Sequence, residues 1–376
     1  MPSTALRQKI VKSARRIVVK VGTNALTDER GRLDLAYLGD LAAQVAELVG
    51  AGVSVTLVSS GAIGAGMAEL NLSRRPRVLP LIQATAAVGQ GQLMRHFHDA
   101  FGARGLKVGQ ILITRGDFED RTRYLNIRNT IQALARYRVV PIINENDTVA
   151  VDELPGGGGG KFGDNDIIAA LVCNMLRADL LVILSVVDGV LRAGQVVDLI
   201  DDAAVGQQLV TGARSRLGSG GMGAKLTAAQ MVAAAGEVAI VANARTSRIL
   251  PRLLAGEKLG TLIVPAQHKM NSRKRWIAQA APTAGRIVID AGAARALTER
   301  GKSLLPSGVT GVQGRFPKGA SVDVAGADGR AIARGLTNYS SDDIARIRGL
   351  KSDQLARLMG GKCPEEVIHR NNLTLC

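Results

Sequence analysis

Aromatic residues are scarce in this chain, at 3% of 376 residues with a single tryptophan. A core built without rings must come from Ala, Val, Leu and Ile. The scarcity also weighs against a single-stranded RNA platform, which depends on stacking side chains. Cysteine is nearly absent. Cys173, Cys363 and Cys376 form no CxxC pair and are odd in number. That excludes a disulfide framework and fits a reducing, cytoplasmic compartment. The four histidines show no zinc-site spacing, and His96 and His98, two apart, fall on different faces of a helix. No apolar run approaches the roughly 18 residues needed to cross a bilayer, so no membrane partner is expected. The opening MPSTALRQKIVKSARR has no apolar stretch of the kind a secretory signal carries and reads as a short basic arm before the first strand.

Basic charge, by contrast, is plentiful: 48 Lys and Arg stand against 32 Asp and Glu, a formal +16. This points to an anionic partner, either nucleic acid or phosphate-bearing substrates; a solvated basic surface accounts for it equally well. No run of Lys/Arg forms a nucleic-acid stripe.

Along the first two-thirds, short apolar runs alternate with helical spacing. Ile17–Val21, Val53–Val58, Val108–Ile113, Val139–Ile143, Leu180–Leu184 and Val238–Val241 read as strands. Leu35–Val49, Tyr124–Arg136, Ile167–Leu176 and Lys225–Ala235 read as helices. The alternation predicts an α/β fold, a mostly parallel sheet covered on both faces, with ligands at the carboxyl ends of its strands. Near Pro282 the character changes. Arg286–Ile289, Val309–Val312, Ser321–Val324 and Ala331–Ala333 are short strand candidates, with a helix expected over Ala291–Arg300. The chain thus divides into a domain over residues 1–268, a polar linker over 269–283 and a small β-rich domain over 284–367. Gly156–Gly160, five glycines in a row, reads as a surface loop.

Two glycine patterns mislead. Lys161 ends the glycine run, but Pro155 and Phe162 break the P-loop pattern. Gly218, Gly220 and Gly223 match G-x-G-x-x-G, yet lie deep in the chain rather than after a first strand. Other segments are more informative. Lys20-Val-Gly-Thr-Asn24 sets a lysine at the end of an apolar strand, which is costly unless an anion is near. Ser59-Ser60-Gly-Ala-Ile-Gly-Ala-Gly66 offers backbone N–H groups at a helix start, or close strand–helix packing. Asn144-Glu-Asn-Asp147 and Gly163-Asp-Asn-Asp166 are acid-and-amide clusters, suited to capping helices, to orienting an ammonium group, or to holding metal-bound phosphates. Gly218-Ser-Gly-Gly-Met-Gly-Ala-Lys225 joins a glycine turn to a lysine opening a helix, which suits nucleotide phosphates.

In this order the segments resemble the glutamate 5-kinase group of the amino-acid kinase family. The resemblance runs through VVKVGTN, VSSGAIGAG, Gln83–Gln90, VGQILIT, INENDTVAVDE, FGDND, LGSGGMGAK and Ser272–Trp276. The second domain resembles a PUA domain through Lys302–Pro306 and Gly314–Val324. The resemblance implies an αβα sandwich and ATP-dependent phosphorylation of the side-chain carboxylate of L-glutamate, the first step of proline synthesis. A glutamate carboxyl group, with pKa about 4.3, is already ionised at neutral pH and needs no general base. By the same resemblance, Lys20 and Lys225 are the cations on the transferring group and Asp166 organises them. Ser60, Asp147 and Asn165 hold glutamate. Ser185 and Val186 at the end of the nucleotide strand, Lys20, and Ser219, Gly220, Gly221, Met222, Gly223, Ala224 and Lys225 enclose ATP. Mg²⁺ bridges the phosphates with no direct protein ligand. Also implied are proline as a feedback inhibitor competing at the glutamate site, glutamate-5-semialdehyde dehydrogenase as a partner, and a homo-oligomer.

The sequence departs from the family pattern in three places. Ser185-Val186 stands where Ser/Thr-Asp is usual, Leu191 replaces an aromatic before a short hairpin, and Leu154–Gly160 is an insertion. The first two fall on adenine and ribose contacts, and the third lies beside the glutamate site, where proline would compete. Two other readings remain: a kinase of another carboxylate such as N-acetylglutamate, and an RNA-binding protein acting through the PUA domain.

Overall fold

The computed structural model describes residues 3–28, 32–150, 165–201, 221–265, 272–279, 281–358 and 363–375. The chain forms two compact units, Met1–Lys269 and Met270–Cys376. In chain order the strands of the first are β1 (Arg16–Val21), β2 (Ser54–Ser59), β3 (Lys107–Ile113), β4 (Val139–Glu145), β5 (Leu180–Ser185), β6 (Leu191–Arg192), β7 (Gln195–Val196), β8 (Leu199–Ile200), β9 (Val238–Asn243) and β10 (Thr261–Ile263). Its longer helices are α1 (Ser3–Lys12), α2 (Leu35–Gly50), α3 (Ala62–Glu69), α4 (Leu79–Gly102), α5 (Arg121–Arg136), α6 (Asn165–Leu176) and α7 (Met222–Ala234).

The sheet order is β3-β4-β2-β1-β5-β9-β10-β8. Every pairing is parallel except β9 with β10. β1 lies centrally, with β2 and β5 on its flanks. Side chains alternate across a strand. Ile17, Val19 and Val21 therefore share one face, packed with Leu41, Val45, Leu93 and Phe97 of α2 and α4. Val18 and Lys20 take the other face, which is covered by α6, itself packed on α7. This parity decides where the Lys20 ammonium goes.

The basic N-terminal arm is a helix, α1, rather than an irregular lead-in. Its Arg7 is 1% exposed and donates to Leu259 O at 2.6 Å, Asp198 Oδ1 at 2.9 Å and Gly260 O at 3.2 Å. One guanidinium thus ties the chain start to the segments bearing β8 and β10. Burial lowers the pKa of this Arg, and Asp198 opposes the shift. Helix α7 starts at Met222, three residues before the expected start.

The second unit carries β11 (Thr283–Ile289), β12 (Val309–Gln313), β13 (Ser321–Ala325), β14 (Ala331–Leu336) and β15 (Leu373–Leu375), in the order β12-β11-β13-β14-β15. Its core gathers Ile287, Phe316, Val324, Ile344 and Val367. Gly285 is required there, because a Cβ would lie 2.5 Å from the Phe316 ring. Three expectations differ. Of the stretch 269–283, Ser272–Gln279 is a helix with Arg275, Trp276 and Ile277 buried, not an open linker. Strand β15 lies past residue 367 and pairs with β14. The helix expected over Ala291–Arg300 ends at Thr298.

Candidate active site

Lys20, on the α6 face of β1, is 5% exposed. Its Nζ lies 2.7 Å from Asp166 Oδ1, and the second carboxylate oxygen lies 3.2 Å from Lys225 Nζ. Asp166 is fully buried and Lys225 is 9% exposed. Each group comes from a different element: β1, the first turn of α6 and the first turn of α7. A carboxylate in a first helical turn is favoured by the positive end of the helix dipole. Two ammonium groups against one carboxylate sum to a single positive charge. Buried charge is costly without compensation, so the trio suits a polyanion.

Beside the trio, Asn165 Nδ2 donates to Ser60 Oγ at 2.9 Å. Asn165 Oδ1 is buried without a hydrogen-bond partner among the described residues. Ser60 ends the β2 turn. Gly61 follows at φ +103°, and α3 begins at Ala62. The glycine at 66 belongs to packing rather than to an anion cradle: its Cβ would fall 1.8 Å from Thr85 O, and one on Gly89 would fall 1.8 Å from Ala62 O. Helices α3 and α4 thus cross backbone to backbone. Asp147 sits half-buried in the turn after β4, the strand beside β2.

On the other side, Gly221 caps α7, and Met222, Gly223 and Ala224 form its first turn. Ala224 N donates to Gly221 O at 3.2 Å, and a helix N-terminus of this kind suits phosphate. Ser185 ends β5 and its carbonyl accepts from Ala244 N at 2.7 Å. Val186 is 48% exposed. The short hairpin β6–β7 turns on Ala193 and Gly194, both at positive φ. Asp188 and Val190 are held from neighbouring strands, by Asn243 Nδ2 and Thr261 Oγ1, each at 2.8 Å. Ser219, Gly220, Gly163, Asp164 and the insertion Leu154–Gly160 lie outside the described residues.

The structure therefore brings Lys20, Asp166 and Lys225 together, and Ser60 with Asn165. It also shows a pair no sequence motif assigned: Asn144 Nδ2 donates to Gln90 Oε1 at 2.8 Å. The available signal was Gln83 and Gln90, seven residues apart in one helix.

Comparison with known proteins gives two family matches, the amino acid kinase family over residues 15–243 and the PUA domain over 285–359. A glutamate 5-kinase of Geobacter sp. (strain M21) is 47% identical, covering 98% of this chain and 100% of that protein. One from Caldanaerobacter subterraneus subsp. tengcongensis is 44% identical, covering 96% and 97%. Among solved structures, carbamate kinase from Giardia lamblia bound to AMP-PNP is 19% identical with a TM-score of 0.49, covering 68% of this chain and 99% of that one. The family match over residues 15–243 and the near end-to-end coverage of the two glutamate 5-kinases show that the chain belongs to the amino acid kinase family, in its glutamate 5-kinase group, with a C-terminal PUA domain.

Proposed function

We propose that the trio Lys20–Asp166–Lys225 transfers the γ-phosphoryl group of ATP to the side-chain carboxylate of L-glutamate, giving L-glutamyl 5-phosphate and ADP. This is the first step of proline synthesis. The observation that carries the reading is one buried carboxylate holding two ammonium groups at 2.7 and 3.2 Å beside the Ser60–Asn165 pair. A carboxylate oxygen of glutamate attacks the γ-phosphorus, and the bond to the β,γ-bridging oxygen breaks. The nucleophile is already ionised, so positioning and charge neutralisation are what the protein must supply. Asp166 fixes both lysines before substrate arrives, which removes the reorganisation cost at the moment of transfer.

Ser60 and Asn165 hold glutamate, with Asp147 in the turn beside them. The buried Asn165 Oδ1 is an acceptor in want of a donor. It suits the free ammonium group of glutamate. The first turn of α7 takes the ATP phosphates, with Ser185 and Val186 toward the base. A magnesium ion fits on the phosphate side. Both Asp166 oxygens are taken by ammonium groups, so phosphate oxygens and water would hold the ion. It supplies further neutralisation of the β- and γ-phosphates. The reading extends to a cytoplasmic homo-oligomer whose acyl phosphate is consumed by a glutamate-5-semialdehyde dehydrogenase.

Hydroxylamine trapping of the acyl phosphate, run with L-glutamate, N-acetylglutamate and aspartate, tests the acceptor. Glutamate is expected to be the preferred substrate, and faster turnover of N-acetylglutamate refutes the assignment. Lys20→Ala and Lys225→Ala should each cut kcat by about 100-fold or more with the circular dichroism spectrum unchanged. Near-normal kcat in either removes that lysine from the mechanism.

A further inference from the structure

Gln90 lies in α4, the residue after the glycine that packs on Ala62. Its neighbour Asn144 is oriented by the backbone: Asn144 Oδ1 accepts from Glu145 N at 2.9 Å. The Asn144 amide nitrogen must therefore face Gln90, so the Gln90 atom facing it is the acceptor Oε1, at 2.8 Å. This leaves Gln90 Nε2 as a donor. It is buried and has no hydrogen-bond partner among the described residues. An orphaned buried donor is rare in folded proteins and calls for a specific explanation.

Its place supplies one. β2 and β4 pair with Val58 opposite Ile143, and continuing that register sets Asn144 beside Ser59, next to Ser60. The contact of Gly89 with Ala62 holds Gln90 near the same turn from the helix side. Seven residues earlier on the same face of α4, Gln83 Nε2 donates to Ala150 O, in the segment following Asp147. This helix face looks onto the carboxyl ends of β2 and β4, where the amino-acid substrate is placed above.

We propose that Gln90 is a further substrate-binding residue, whose Nε2 donates to a carboxylate oxygen of the bound amino acid while Asn144 fixes the direction of the amide. The inference rests on the placement of the substrate beside Ser60 and Asn165. A glutamate carboxylate would give this buried donor its acceptor.

The test is steady-state kinetics of the full chain at pH 8 with glutamate and ATP varied separately, for Gln90→Glu, Gln90→Leu and Ser60→Ala. Gln90→Glu keeps the acceptor toward Asn144 and replaces the donor by a carboxylate oxygen. The KM for glutamate should rise at least about tenfold in Gln90→Leu, the range expected for losing a hydrogen bond to a charged group, and further in Gln90→Glu, with KM for ATP unchanged. A rise with Ser60→Ala but none with either Gln90 variant overturns the proposal and leaves the substrate site in place. No rise in any of the three overturns both. A fall in thermal stability of the Gln90 variants with KM for glutamate unchanged makes the residue merely structural, and also overturns it.

Discussion

Asp166→Asn keeps the side-chain shape and deletes the charge that holds Lys20 and Lys225. The carboxylate is fully buried, and its two oxygens lie 2.7 and 3.2 Å from the ammonium groups. Removing one member of a buried ion pair costs about 3–5 kcal/mol, because the remaining charge stays uncompensated. At roughly 2–4 °C per kcal/mol for a domain of this size, the Tm of the kinase unit should fall by about 6–20 °C. Turnover should fall by about 100-fold or more, since both cations lose their fixed positions. A second substitution sharpens the result. Lys20→Met in the Asp166→Asn background removes one excess ammonium, so the double variant should be more stable than Asp166→Asn alone, while remaining inactive. The measurements are thermal unfolding by circular dichroism and hydroxamate formation. A Tm within about 2 °C of the parent, or a double variant as unstable as the sum of its parts, refutes the buried-charge reasoning.

Two further outcomes are expected. Gly89→Ala adds a Cβ 1.8 Å from Ala62 O, a backbone atom that cannot rotate away, so it should cost at least about 1–3 kcal/mol and raise KM for glutamate through the displaced Ser60 turn; an unchanged Tm removes the tight crossing. The Asp34 carboxylate accepts from Tyr37 N and Arg245, in that order of influence, which holds its pKa below the ordinary 3.8. A depressed carboxylate pKa contributes stability that is present above the ordinary value and lost as pH falls through the folded one. Asp34→Asn should therefore lower Tm at pH 7, with the difference closing as pH falls below the ordinary carboxylate value and through the depressed one; a difference constant with pH refutes it.

Much of this is legible in the sequence. A lysine inside IVVKV is improbable without a use, and the acid-and-amide cluster ending in Asp166 precedes an apolar helix directly. The parallel sheet follows from the alternation of short β-branched runs with helical spacing. Other features are not legible, for physical reasons. Gly221 and Gly223 lower helix propensity, so periodicity starts α7 at Lys225. Packing on α6, with Gly223 buried, draws Met222–Ala224 into the helix. SRKRW reads as a polar linker, yet Arg275 and Trp276 are buried in the second unit. The meeting of Gly66 with Gly89 joins two helices with no shared period, so no one-dimensional pattern reveals it. The direction of the Gln90 amide depends on a backbone N–H from another element and has no sequence signature at all.

The position of Lys20 on β1 has a consequence for how this chain can tolerate length changes. Strand side chains repeat with period two, so a one-residue insertion between Arg16 and Lys20 would turn the ammonium from Asp166 into the cluster of Leu41, Val45 and Leu93. A two-residue insertion would restore the facing but advance the lysine by one full pleat, about 6.6 Å, past the carboxylate. Neither odd nor even length change at the start of this strand preserves the pair. Variation in chain length can therefore accumulate before Arg16 and after Gly22, while the five residues from Arg16 to Lys20 are fixed in number as well as in kind.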